Sequence, residues 1–99
     1  MTISQDILMA VKKALRITTI DFDTEIIELI QAAVKDLGIA GVSNDIDDPL
    51  ILTAIKTYTR MHFGQPDDYD KLKASYDEQK AQMQVSTGYT NWGDEDGQI

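Results

Sequence analysis

The chain has 99 residues, of which 42% are hydrophobic and 26% charged, a composition that fits one globular domain and argues against disorder. Its 17 acidic and 9 basic side chains give a net charge of −8, which makes non-specific binding to nucleic acid or an anionic membrane unfavourable. The sequence has no cysteine, which excludes disulfides and thiolate metal sites, and no apolar stretch reaches the ~18 residues that span a bilayer.

The first predicted helix begins after Ser4, which is a suitable N-cap, and ends near Leu15. Apolar residues recur within it at helical spacing and form one face. Lys12, Lys13 and Arg16 stand where this helix ends, and we interpret them as complementing its C-terminal dipole.

A linker over residues 17–22 leads to the second predicted helix, which covers residues 24–37. Asp23 is the expected N-cap and Gly38 the expected left-handed stop. The apolar residues of this helix cover an arc wider than an amphipathic stripe, which is typical of a helix contacted from several sides. We therefore expect it at the centre of a bundle.

The pair Asp48 and Pro49 predicts the start of a third helix, because proline at the first helical position needs no amide donor and aspartate can cap the next ones. Gly64 is its expected stop. The predicted inward stripe is made of Ile51, Ala54, Ile55, Tyr58 and His62.

A fourth, more polar helix is predicted over residues 68–83, on the outside of the bundle. Asp70 and Lys73 are expected to pair on its outer side. Its expected inward residues are Tyr69, Leu72, Tyr76 and Met83.

No segment alternates apolar and polar residues for long enough to indicate a sheet. The sequence therefore predicts an all-α domain over residues 1–85, a small bundle of about four helices. Residues 86–99 lack helical periodicity and are predicted to be a flexible acidic and aromatic tail.

The residue types that carry catalysis or hold a metal do not converge anywhere in the sequence. His62 is the one histidine and is interpreted as a structural or interface residue. Asp45, Asp47 and Asp48 lack the glycine and closing glutamate of a calcium loop, which favours turn and cap chemistry. We predict no catalytic residue, no cofactor and no metal, and hence a protein that is not an enzyme.

Four apolar side chains are candidates for a protein interface. Leu52 and Phe63 lie away from the main stripe of the third helix on a second face, and Tyr89 and Trp92 stand in a tail too polar to bury them. The alternative is that Leu52 is an ordinary surface leucine and that Phe63 packs at the end of its helix.

In chain order, the sequence contains VKKALRITTIDFDTEIIELIQAAVKDLGIAGV, then DPLILTAIKTYTRMHFG, then YDKLKASYDEQKAQMQVSTGYT. This succession resembles the head-to-tail connector, or adaptor, family of tailed bacteriophages, including members named as DNA-packaging proteins. The likeness covers about residues 11–90, and NWGDEDGQI at the end has no counterpart in it.

The resemblance implies a helical subunit that forms a ring with copies of itself on the portal protein at the virion head-tail junction. The ring would extend the DNA conduit, let DNA pass without specific binding, and offer a platform to a stopper or tail-completion protein. Assembly is expected in the host cytoplasm, without a membrane. The charge of −8 leaves an alternative, an acidic regulatory protein that binds a basic nucleic-acid-binding or packaging partner.

Overall fold

The computed structural model describes residues 3–42, 46, 48–64 and 66–85. Within these ranges the chain forms four α-helices and no strand. The all-α fold and the four-helix bundle are therefore confirmed, whereas the predicted tail, residues 86–99, lies outside the described residues. The helices are α1 Gln5–Leu15, α2 Asp23–Ile39, α3 Pro49–His62 and α4 Tyr69–Val85.

The predicted caps of α1 and α3 are confirmed. The hydroxyl of Ser4 accepts a hydrogen bond from the amide of Ile7 at 3.2 Å, and the Asp48 carboxylate accepts from the amide of Leu50 at 2.9 Å. Both oxygens satisfy amides that have no partner inside their own helix. The left-handed Gly64, with φ of 70°, follows the end of α3 as expected.

Both predicted boundaries of α2 are wrong. Asp23 is the first residue of the helix instead of its cap, because its carboxylate is directed to Lys12 of α1, 2.7 Å away. Gly38 lies inside the helix, and the positive φ of 86° is found at Gly41. The later turn lets the amide of Val42 bond to the carbonyl of Leu37 and brings the Val42 side chain into the core.

The central helix is α3, and the prediction that the second helix is central is wrong. The α3 helix packs against α1, α2 and α4, whereas the main helix contacts of α2 are with α3 and α1. Because α3 is contacted from several sides, its buried residues extend beyond the predicted stripe to Thr59 and Met61, while His62 at the end of the stripe is exposed.

The core is one apolar cluster to which all four helices contribute side chains. A large aliphatic side chain that is fully buried contributes about 1.5 to 3 kcal/mol to folding, so a few such residues decide the stability of so small a domain. The largest fully buried residues are Val11, Ile26, Ile30, Leu37, Val42, Ile51, Ile55 and Thr59.

Thr59, in the last turn of α3, is a polar residue with no exposed surface. Its hydroxyl donates to the carbonyl of Ile55, one turn back, at 2.8 Å. Thr57 and Thr53 of the same helix bond in the same way to the carbonyls four residues before them. The hydroxyl that α3 buries completely is therefore satisfied inside the helix itself.

Candidate functional site

The fourth helix is attached to α2 through polar contacts. The carboxylate of Asp36 accepts a hydrogen bond from the Tyr76 hydroxyl at 2.6 Å and one from the Lys80 ammonium group at 3.1 Å. Near the ends of both helices, the side-chain amide of Gln84 donates to the carbonyl of Ala40 at 2.8 Å. These contacts place the C-terminal ends of α2 and α4 at the same end of the bundle.

The environment of Asp36 changes two ionisation equilibria. Burial by itself raises the pKa of the Asp36 carboxyl, but the hydrogen bonds from Tyr76 and Lys80 outweigh it and hold the pKa below its ordinary value. Burial, followed by the bond to Asp36, raises the pKa of the Tyr76 hydroxyl well above its ordinary value. The carboxylate and the neutral phenol therefore stabilise each other at neutral pH.

Next to this contact lies a chain of aromatic rings. The Tyr58 ring is 5.4 Å from the Tyr76 ring and 4.4 Å from the His62 ring, and His62 is 6.2 Å from Tyr69. The ring neighbours of His62 are thus tyrosines, which is a packing arrangement at the edge of the bundle.

Tyr69 is 37% exposed, so the prediction that it points inward is wrong, whereas Leu72, Tyr76 and Met83 are buried as predicted. The predicted partner of Lys73 is also wrong, since Lys73 pairs with Asp77 at 2.9 Å.

The basic residues at the end of α1 have different roles. Lys12 is buried, 5% exposed, and forms the ion pair with Asp23 that joins α1 to the start of α2. Lys13 is exposed and lies in the last turn of α1, where the dipole interpretation applies. Arg16 caps the helix in the left-handed conformation, with φ of 62°.

The two candidate interface residues of α3 do not form one patch. Leu52 and Phe63 are both half-buried and pack against the core. They are eleven residues apart, about 16 Å along a helix, at opposite ends of α3. Phe63 also makes an edge-to-face contact with Phe22, with ring centres 5.5 Å apart. Each keeps part of its surface open, and Tyr89 and Trp92 lie outside the described residues.

Several exposed apolar side chains were not among the sequence-based candidates. Ile20 and Val85 stand between polar residues, so no apolar run marks them, whereas Met9 and Leu50 lie in apolar runs but away from the buried face of their helices. The largest exposed fractions belong to Met9 at 54%, Ile20 at 77%, Ile39 at 78%, Leu50 at 56% and Val85 at 83%.

Two open cavities accompany these residues. The larger, of about 680 Å³, lies between α1 and the segment that follows it; we call it the α1 groove, and its lining includes Asp6, Met9, Lys13, Ile17, Thr18 and Ile20. The smaller, of about 300 Å³, lies where α1, α3 and α4 meet, and its lining includes Leu15, Arg16, Arg60 and Phe63.

In the part of the chain that the structure describes, no three histidine or acidic side chains are arranged to hold a metal ion. Over the same residues, no helix is both long enough and apolar enough to cross a membrane. The exposed apolar side chains of the described surface, such as Ile39 and Val85, are suited to a role in contact with another protein.

Comparison with known proteins agrees with such a role. No curated protein and no solved structure gives a significant match to the chain. A family of proteins described as phage connector protein matches residues 7–90, which is most of the chain and includes all four helices except the first two residues of α1. The chain therefore belongs to the phage connector protein family.

Proposed function

We propose that this protein is a head-to-tail connector subunit that forms a ring on the phage portal, extends the DNA conduit and gives a docking platform to a stopper or tail-completion protein. The family match over residues 7–90 carries the proposal. The phage connector family is structural, and an assembly role requires surfaces for contact instead of a reactive site.

The surface of the bundle supports this role. Exposed apolar side chains occur at both ends, with Ile39 and Val85 where α2 and α4 finish, and Ile20 and Phe22 where α2 begins. A subunit of a closed ring contacts one neighbour on each side and needs two different surfaces for this. We further propose that Leu52, Phe63, Tyr89 and Trp92 contribute to contacts with neighbouring copies, the portal or the next tail component.

The test is electron microscopy of the purified chain with and without the portal protein of the same phage. The chain should be mainly monomeric in dilute solution, because the exposed apolar residues do not form a continuous surface of the obligate kind, and should form rings on the portal. A portal that never recruits the chain would contradict the proposal. A salt-sensitive one-to-one complex with a basic protein would support the acidic regulator instead.

We also propose that the conduit of the ring is lined by negative charge, because DNA must pass without stable phosphate contacts. Glu25 and Glu28 on the exposed side of α2 form no ion pair with another described residue and are the first acids to change. Replacing both by lysine should slow DNA passage. The matched control is the same replacement at Asp70 and Glu78 of the outer helix, which alters the net charge equally.

A further inference from the structure

The α1 groove is an open apolar surface with no described side chain covering it. Its volume of about 680 Å³ is in the range of sites that hold a group of several side chains or a small ligand. Met9 on one wall and Ile20 on the other are more than half exposed. Leaving such side chains in water is unfavourable, so this groove gains from an occupant with an apolar surface.

The side chains at and beside the groove that form no ion pair with another described residue are two basic ones and one acidic one, a small excess of positive charge in a protein whose net charge is −8. The exposed Lys13 lines the groove and forms no ion pair with another described residue, and Asp6 is the unpaired acid on its wall. Arg16 follows and lines the smaller cavity, where Arg60 is already paired with Asp68 at 3.9 Å. A favourable occupant therefore combines apolar surface with negative charge.

The chain itself contains a segment of this chemistry. Residues 86–99 contain two large aromatic residues, Tyr89 and Trp92, followed by the acidic run Asp94, Glu95 and Asp96. Tyrosine and tryptophan are the residue types that contribute most to binding when they fill an apolar pocket. The three carboxylates follow Trp92 closely enough to reach cations at the edge of the same groove.

The position of Val85 indicates which copy supplies this segment. Gln84 contacts Ala40 at the C-terminal end of α2, whereas the groove is lined by Asp23 at the other end. The 17 residues of α2 separate these ends by about 25 Å. The seven residues from Val85 to Trp92 span about 25 Å only when fully extended, so the segment would reach the groove of its own chain only if completely stretched.

We infer that the α1 groove receives residues 86–99 of a second copy of this chain, with Trp92 on the apolar floor and the acidic run against Lys13 and Arg16. The inference rests on the proposed ring and names the contact between its neighbours. The copies then meet head to tail, with the Val85 end of one bundle at the Met9 and Ile20 end of the next. Two different surfaces meet in such a contact, which is the arrangement that closes into a ring.

The lack of cysteine in the full chain permits a direct test by disulfide trapping. One preparation carries Thr18→Cys in the groove and a second carries Gly93→Cys beside Trp92; the two are mixed under mild oxidation. The mixed disulfide should form at least about fivefold faster than with Ser75→Cys, an exposed position on α4. Adding Lys13→Glu and Arg16→Glu to the groove chain should remove this advantage, whereas Lys35→Glu with Lys71→Glu, also exposed, should not.

Two outcomes would overturn the inference. Equal coupling of Gly93→Cys to positions 18 and 75 would mean that the groove does not bind the segment. A chain with both Thr18→Cys and Gly93→Cys that closes an internal disulfide in dilute solution would mean that each copy fills its own groove. If a chain ending at Val85 still forms rings on the portal, this contact is contradicted and the proposed function is left intact. If the disulfide is trapped but no ring forms, the contact is supported and the proposed function is contradicted.

Discussion

The Tyr76 hydroxyl of α4 donates a hydrogen bond of 2.6 Å to the carboxylate of Asp36 on α2, forty residues earlier in the chain. The same carboxylate oxygen also accepts from Lys80 at 3.1 Å. A single acid in the middle of the chain therefore holds two donors of the last helix.

Replacing Tyr76 by phenylalanine keeps the ring packed against Tyr58 and removes the hydrogen bond. Hydrogen bonds to charged groups contribute about 1.5 to 3 kcal/mol, and since Asp36 is partly exposed we expect a loss of about 1 to 2 kcal/mol in the free energy of unfolding, measured in urea. Lys73→Met, which breaks the exposed pair with Asp77, is the control and should leave the urea midpoint unchanged. Equal midpoints for wild type and Tyr76→Phe would contradict this.

Acid should weaken the domain through Asp36. Its pKa in the folded chain lies below the ordinary value of 3.8, so the folded state favours the carboxylate. The resulting stability is present at pH values above 3.8 and is lost as the pH falls through the folded pKa. Asp36→Asn should therefore be less stable than wild type at pH 7, with a difference that shrinks as the pH is lowered below 3.8, in thermal unfolding followed by circular dichroism. A difference independent of pH would exclude this linkage.

The ion pair between Lys12 and Asp23 gives a comparison between two adjacent lysines. Lys12→Met keeps the apolar stem but leaves the Asp23 carboxylate, 26% exposed, without its partner. Because the pair is not completely buried, we expect a loss of about 1 to 3 kcal/mol, below the range for fully buried pairs. Lys13→Met should change stability by no more than about 0.5 kcal/mol. Similar losses in both variants would show that the pair is not the cause.

Replacing either of two glycines by alanine should change the free energy of unfolding, in opposite directions at the two positions. Gly38 lies inside α2 without a positive φ, and a Cβ there would meet no atom within 4 Å. Gly38→Ala should therefore raise the unfolding free energy by about 0.5 kcal/mol, because alanine favours the helix and restricts the unfolded chain. Gly64 has φ of 70°, so Gly64→Ala should lower it by about 1 kcal/mol. Urea titrations decide both signs.

The core prediction compares two isoleucines of α2. Ile30 has no exposed surface and Ile39 is 78% exposed. Ile30→Asp should abolish the helical far-ultraviolet spectrum, because an unpaired charge in the core is too costly for a domain of this size. Ile39→Asp should retain the spectrum and the melting temperature. A folded Ile30→Asp variant would mean that the core tolerates a charge at its centre.

The features that sequence predicts well here are those determined by neighbouring residues. Ser4 and Asp48 cap the amides of the turn that follows them, so their pattern is readable without knowing the rest of the fold. Asp23 has the same local chemistry but is attracted to Lys12, eleven residues before it, and tertiary contact overrides the cap. The stop at Gly41 in place of Gly38 likewise depends on bringing Val42 into the core.

The candidate site shows the same division. The apolar character of Phe63 is visible in the sequence, but its contact with Phe22 requires the start of α2 to lie beside the end of α3. Ile20 stands alone between polar residues, and only the fold places it across a groove from Met9. The spacing of apolar residues indicates which face of a single helix is buried, but it does not show which surfaces of different segments come into contact.

The bond from the buried Thr59 hydroxyl to the Ile55 carbonyl has a consequence for how the fold can vary. The helices around α3 need not supply a hydrogen-bond partner for this buried hydroxyl, because α3 itself already satisfies it. Shape and volume are then what α1, α2 and α4 must supply against this part of α3. The outer helices can exchange one apolar side chain for another of similar size, and so reshape their outward surfaces, without breaking the buried hydrogen bond of Thr59.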